Sequence, residues 1–300
     1  MRAAAVAALL LGVTACVAPS EAPRAAHAQQ PAPPPAAPAP EPSGQAGFTF
    51  RGAISQGGMV VGHAPSGTTA LTLDGEAVPI APDGAFLIAF GRDHGPEATL
   101  VATRADGSTV VDRLHIAPRQ WHIEALPIPK YKRPKPEFLA IRKGELDQIH
   151  HARDVAVTVR SDGWRQHFEW PATGRVSGQF GAQRVYKGEK GSFHSGIDIA
   201  VPMGTPVRAP ADGVVILAAK DQPFTLEGHL LMVGHGMGLD SAFLHLSKIE
   251  VGVGDVVRKG EIIGYSGMSG RATGPHLHWA LTWRGQRIDP TLVAGPMPQG

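Results

Sequence analysis

His194 stands four residues before Asp198 in the stretch HSGID, and His276 stands two before His278 in PHLHW. A fifth polar residue, His245, sits between leucines in FLHLS. Imidazole and carboxylate are donors that zinc accepts, and two histidines with one carboxylate leave a fourth position open for water. The chemistry such a set performs is hydrolysis by an activated water. The chain has one cysteine, so an intrachain disulfide and a zinc site built on several thiolates are both excluded.

Spacing decides which of these residues can meet. On a strand, residues two apart face one side, so His276 and His278 project together while Leu277 and Trp279 turn to a core. Their Cα atoms would lie about 7 Å apart, close enough to address one centre. A straight strand would separate His194 from Asp198 by about 13 Å, which strains shared ligation. Gly196 supplies a place to bend, with Asp198 then opening a strand whose Ile197 and Ile199 face inward. His245 in its apolar run reads equally well as a hydrogen-bonded structural histidine. Strand geometry does not choose which histidine of H-x-H would take a metal.

The remaining polar residues offer less. His63, His94, His115 and His122 share no motif and read as surface or structural positions. His150 and His151 are neighbours on an expected helix, where adjacent side chains point about 100° apart and cannot chelate together. Asp240 and Glu261 read as solvated. His235 and His229 read mainly as structural, and no Ser-His-Asp arrangement is argued for Ser195, Ser266 or Ser269.

Residues 171–292 resemble the lysostaphin-type zinc endopeptidases, also called β-lytic or LytM-like peptidases. The resemblance rests on H-x-x-x-D at His194 and Asp198, on the His-Leu-Ser segment at His245, and on H-x-H at His276 and His278. PVRAPADGVV, GDVVRKGEIIGYSGMSG and TGPHLHW add similar content in the same order. Carried over position by position, it implies His194, Asp198 and His278 as ligands of one zinc ion, with His245 and His276 as the catalytic pair. It implies peptide-bond hydrolysis in bacterial cell-wall peptidoglycan. It also places a tyrosine two residues before His245, where this chain has Phe243, so a hydroxyl on that strand face is missing. His235 matches a turn where the family often holds a histidine.

Positioning these residues requires a β-rich frame, and the chain supplies one. Gly 37 and Pro 27 are both high, and charged residues make up 18%. Residues 1–28 read as an export segment: Arg2, then the apolar run at 3–13, too short to span a bilayer. VTA before Cys16 looks like a lipobox, which would lipidate Cys16 and anchor the chain to a membrane; AHA ending at Ala28 is the rival cleavage site. Either reading exports the protein, with a periplasmic lipoprotein as the expectation. Residues 29–45 form a Pro-rich spacer. Residues 46–126 alternate apolar and polar between Asp-Gly turns at 74–75, 83–84 and 106–107, and predict a small β-sandwich. Residues 127–170 are a linker with a helix in which Phe138, Ile141, Leu146 and Ile149 share a face. Residues 171–295 are again β, with turns at glycines, and form the antiparallel β catalytic domain that the resemblance implies. The fold class is therefore mainly β.

Net charge is +2 from 28 basic and 26 acidic residues, which gives no basic stripe for nucleic acid. No Rossmann or P-loop glycine pattern occurs, so no nucleotide is expected. Two other classes remain for comparison. Non-enzymatic relatives that activate a wall amidase usually lack the zinc ligands, all of which are present here. A biotinyl- or lipoyl-type carrier would need a lysine at a hairpin tip and has no use for the histidines.

Overall fold

A computed structural model describes residues 47–129 and 134–298. The export segment and the Pro-rich spacer lie outside the described residues.

The N-terminal strands are β1 (Thr49–Gly52), β2 (Met59–His63), β3 (Thr68–Leu73), β4 (Glu76–Ala77), β5 (Ala85–Ala89), β6 (Glu97–Arg104), β7 (Thr109–His115) and β8 (Ile123–Leu126). One sheet runs β1-β2-β5 and a second β4-β3-β6-β7. Phe48, Val60, Phe86, Leu71 and Leu100 from these strands and their flanks enter one buried core. The β3–β4 hairpin turns on Asp74 and Gly75, at φ 50° and 85°. Two positive φ angles in succession match the right-handed twist of flanking strands, which is why Asp-Gly reads as a hairpin.

A helix, α1 (Pro136–Thr158), follows; proline in its first turn lacks only an N–H that would be unpaired there. Its buried side chains are Glu145, Ile149, Ala152 and Ala156, spaced by four, three and four. The expected face was rotated from this one: Ile149 is buried, but Ile141 and Leu146 are exposed. Hydrophobicity misleads here because the sheet selects small residues that let the helix lie close, together with one paired glutamate.

The C-terminal strands are β9 (Arg175–Gly178), β10 (Gln183–Tyr186), β11 (Glu189–Phe193), β12 (Ile197–Ala200), β13 (Pro206–Arg208), β14 (Gly213–Ala218), β15 (His229–Gly236), β16 (Leu239–Leu246), β17 (Lys248–Ile249), β18 (Val256–Val257), β19 (Ile262–Tyr265), β20 (Leu277–Trp283) and β21 (Gln286–Ile288), before a short helix α2 (Pro290–Ala294). The main sheet runs β18-β14-β15-β16-β20-β12-β9, with β21 beside β20. Its two faces differ. Ile197, Ile199, Val233, Phe243, Leu277 and Trp279 point into the core that also contains the N-terminal strands and Trp164 and Phe168. Ile216, Met232, Ala242 and Ala280 pack under Ile149, Ala152 and Ala156 of α1. Strand β8 pairs in parallel with β10, which pairs with β11, so the N-terminal part ends inside the sheet structure of the C-terminal part. The mainly β architecture agrees with the sequence reading.

Candidate metal centre and catalytic cleft

The chain leaves β11 at Phe193 and enters β12 at Ile197, so His194 stands in the bend between them. Gly196 makes the bend possible at close quarters. A Cβ there would lie 2.4 Å from the Trp279 carbonyl oxygen and 2.7 Å from His278 Nε2. Asp198 pairs with His278 across β12 and β20, with Ile197 opposite Trp279. The alternation of both strands therefore sends Asp198 and His278 to one face and their apolar neighbours to the other. Gly178, opposite Asp198 on β9, is small for the same reason: a Cβ would sit 2.3 Å from Asp198 Oδ2.

Three donor atoms converge. His194 Nε2 lies 3.0 Å from Asp198 Oδ1 and 3.1 Å from His278 Nδ1. His278 Nδ1 lies 2.8 Å from the same carboxylate oxygen. Burial works against charge on Asp198, but the adjoining imidazoles of His194 and His278 outweigh it and hold its carboxyl well below the usual range. Burial pushes the His278 imidazole down. The His194 Nδ1–H donates to the Gln179 carbonyl at 3.0 Å, which leaves the Nε2 lone pair aimed at the other two donors. Two imidazole nitrogens and a carboxylate oxygen that face one another can hold one metal ion. Tetrahedral zinc ligands stand about 3.3 Å apart at ordinary bond lengths, and a backbone carbonyl that fixes the ligand tautomer is the usual outer support. The residues fit the metal.

The two further histidines complete the same cleft. His276 lies just before β20, bridged to Gly267, with its Nδ1–H donating to the Gly274 carbonyl at 2.8 Å. Its Nε2 is 3.8 Å from Asp198 Oδ1. His245 donates Nδ1–H to the Ser269 carbonyl at 2.8 Å, and its ring centre is 4.8 Å from that of His276. Burial lowers its pKa. All five polar residues line one cleft of about 380 Å³, together with Leu226, Glu227, Leu244, Arg271, Ala272 and Thr273.

His245 reaches this cleft by breaking strand alternation. Its φ is 63°, in the left-handed region, where a non-glycine residue is uncommon. Leu244, not Phe243, shares the cleft with it. Phe243 is fully buried in the opposite core. The tyrosine-to-phenylalanine difference therefore removes no hydroxyl from the site face here, contrary to the expectation from period-two spacing.

Asp240 also departs from its expected role. It is 1% exposed, and burial raises its pKa to about 6 against the pull of Arg153 and Arg287. It lies on the helix-facing side of β16, which α1 covers. Glu261 is exposed, as expected. His235 is structural: its Nδ1 meets the Asp212 carbonyl and its Nε2 the Ser241 hydroxyl, both at 2.8 Å. His63, His115, His122, His150 and His151 are exposed, and His94 is half-buried near Asp74.

One network had no sequence signal. Arg142 of α1 forks onto Glu227 with two bonds of 2.6 Å and reaches Glu145 at 2.9 Å. Glu145 accepts from the Thr225 backbone N–H and hydroxyl at 2.6 and 2.7 Å. The Glu227 carbonyl accepts the His245 N–H at 2.8 Å. The helix thus holds the cleft wall that carries Glu227 and touches the His245 backbone. Charges on a helix normally read as a solvated face, and only the fold shows that these are covered.

Residues 192–290 match peptidase family M23. That segment contains His194, Asp198, His245, His276 and His278. The family named from the motifs in the sequence is the one found. A 125-residue stretch is 40% identical to the DD-carboxypeptidase/endopeptidase Mpg of Neisseria meningitidis serogroup B, covering 42% of this chain and 28% of that protein. A 124-residue stretch is 40% identical to the peptidoglycan DD-endopeptidase ShyA of Vibrio cholerae, covering 41% of this chain and 28% of that one. The chain thus spans less than a third of the length of these curated relatives. A crystal structure from Pseudomonas aeruginosa described as an M23 peptidase superposes with a TM-score of 0.61 at 28% identity, over 81% of this chain and 95% of that one. That coverage cannot be confined to residues 192–290, so the likeness takes in N-terminal strands as well.

Proposed function

We propose that this chain is a zinc endopeptidase that hydrolyses peptide bonds in bacterial peptidoglycan. The observation that carries the reading is the convergence of His194 Nε2, Asp198 Oδ1 and His278 Nδ1, 2.8–3.1 Å from one another, beside two more histidines in one open cleft. The M23 domain and the wall-cutting relatives support the reaction class. His194, Asp198 and His278 are the ligands. When bound, zinc supplies an acidified water, with a pKa near 7, and a Lewis acid for the scissile carbonyl.

The chain's own groups do the rest. His276 has Nδ1–H committed to Gly274, so Nε2 is the atom free to take a proton, and it lies beside Asp198. General bases placed this way contribute about 10²–10⁴-fold. His245 likewise has Nδ1–H committed, to Ser269, so its Nε2 donates once it carries a second proton. We assign it to the carbonyl oxygen, where charge builds up. Leu226, Leu244 and Ala272 give the cleft apolar walls, and Glu227, Arg271 and Thr273 give it polar ones. An exported chain with a Pro-rich spacer after Cys16 would place this cleft where peptidoglycan is.

The test combines metal content with turnover. The purified protein should bind about one zinc and release soluble fragments from peptidoglycan. His278→Ala should lose metal and activity together; His276→Ala should keep the metal and lose activity by about 10²-fold or more. A wild-type protein that binds zinc but never cuts peptidoglycan would sink the enzyme reading in favour of a regulator of another wall hydrolase.

A further inference from the structure

We propose that Arg92, from the N-terminal β part, is a positioning residue for His194. The proposal deepens the function above and rests on His194 as a metal ligand.

Among the described residues, every hydrogen bond of His194 outside the donor cluster goes to one short segment. Its Nδ1–H donates to Gln179, its backbone N–H donates to the Ala182 carbonyl at 2.8 Å, and its carbonyl accepts from the Gly181 N–H at 2.9 Å. The aim of the imidazole is therefore set by residues 179–182. Arg92 holds that segment from behind. Its Nε donates to the Gly181 carbonyl at 3.0 Å and its guanidinium reaches Gln183 Oε1 at 3.3 Å. Gln183 in turn donates to the Gly191 carbonyl at 2.7 Å and ties the two strands of the hairpin together. The guanidinium carbon lies 5.0 Å from the Phe193 ring centre, immediately before His194, and 5.2 Å from that of Trp121. Trp121 packs so closely on Gly181 that a Cβ there would come within 2.1 Å of its ring.

A packing role alone does not account for this arrangement. The Arg92 side chain is only 6% exposed, and a buried guanidinium is costly unless its donors are used. An apolar residue would fill the space without that cost. What the guanidinium adds is direction: besides pairing with the exposed Asp93, its planar fork holds Gly181, in the segment that orients His194, and Gln183, in the hairpin that leads into His194. Outer supports of this kind typically change metal affinity 10–100-fold when removed.

Zinc affinity, read by competition with a chromogenic chelator, tests the proposal alongside the thermal midpoint of the metal-free protein. Arg92→Met keeps the stem and deletes the donors; it should weaken zinc binding 10–100-fold. Arg92→Lys, with one mobile donor, should fall in between. Leu100→Ala, in β6 of the N-terminal part, should lower the midpoint yet leave zinc affinity within about twofold of wild type. Should Arg92→Met fail to fold, Trp121→Leu withdraws the ring behind Gly181 and should weaken zinc binding in the same direction. Unchanged affinity in the folded variant, with only the midpoint lowered, overturns the proposal. If wild type binds no zinc at all, the metal reading itself is wrong and the proposal falls with it.

Discussion

Gly178 and Gly196 leave no room for a Cβ: Asp198 crowds the first, and the Trp279 carbonyl and His278 crowd the second. Gly178→Ala would put a methyl 2.3 Å from Asp198 Oδ2, a distance that forces the carboxylate to move. We expect zinc affinity to fall by about 10-fold or more with the β-sheet signal in circular dichroism unchanged. Equal affinity in the variant would show that Asp198 has room the structure does not display. Much at this scale was legible beforehand. H-x-H and H-x-x-x-D offer the imidazoles and the carboxylate, without choosing between the two histidines of H-x-H, and Gly196 marks the bend that brings His194 back to Asp198. The tautomers were not legible, because the carbonyls that fix them, at Gln179, Gly274 and Ser269, become neighbours only through folding.

Helix α1 shows what an element adds. It covers the sheet face that carries the donors and grips the cleft wall through Arg142, Glu145 and Glu227. Removing the guanidinium would leave two carboxylates in a mostly covered site. Arg142→Met should cost about 3 kcal/mol in urea unfolding and lower turnover of peptidoglycan as the Glu227 wall loosens. Loss of stability with turnover intact would confine the network to a structural role. The helix itself was legible from its spacing, but its buried face was not. Periodicity marks apolar residues, whereas the sheet accepted two alanines and a paired glutamate and left Ile141 and Leu146 outside.

Across the described residues of the whole molecule, the N-terminal strands, the segment at Trp164 and Phe168, and the inner face of the main sheet share one core. His235 is buried in it, and burial lowers its pKa to about 4. A histidine kept neutral in the fold but free to protonate when unfolded costs stability as pH falls. The loss starts below the ordinary value near 6.5 and is complete near 4, amounting to about 3 kcal/mol. His235→Gln should flatten the fall in unfolding free energy between pH 6.5 and 4.5, measured with a chelator present. Identical slopes in both proteins would remove His235 from that account.

The sequence by itself determined the donor types, the strand alternation that separates Asp198 and His278 from Ile197 and Trp279, and the mainly β class. Each of these depends on residues near one another in the chain, where period and bend are local properties. Tertiary structure decided which polar residues are covered and which side His245 faces. Asp240 is buried because α1 lies over it, and His245 turns to the cleft through a left-handed backbone that period-two reasoning does not foresee. Only folding could bring Arg92 behind the His194 hairpin, because burial and support come from partners a hundred residues away.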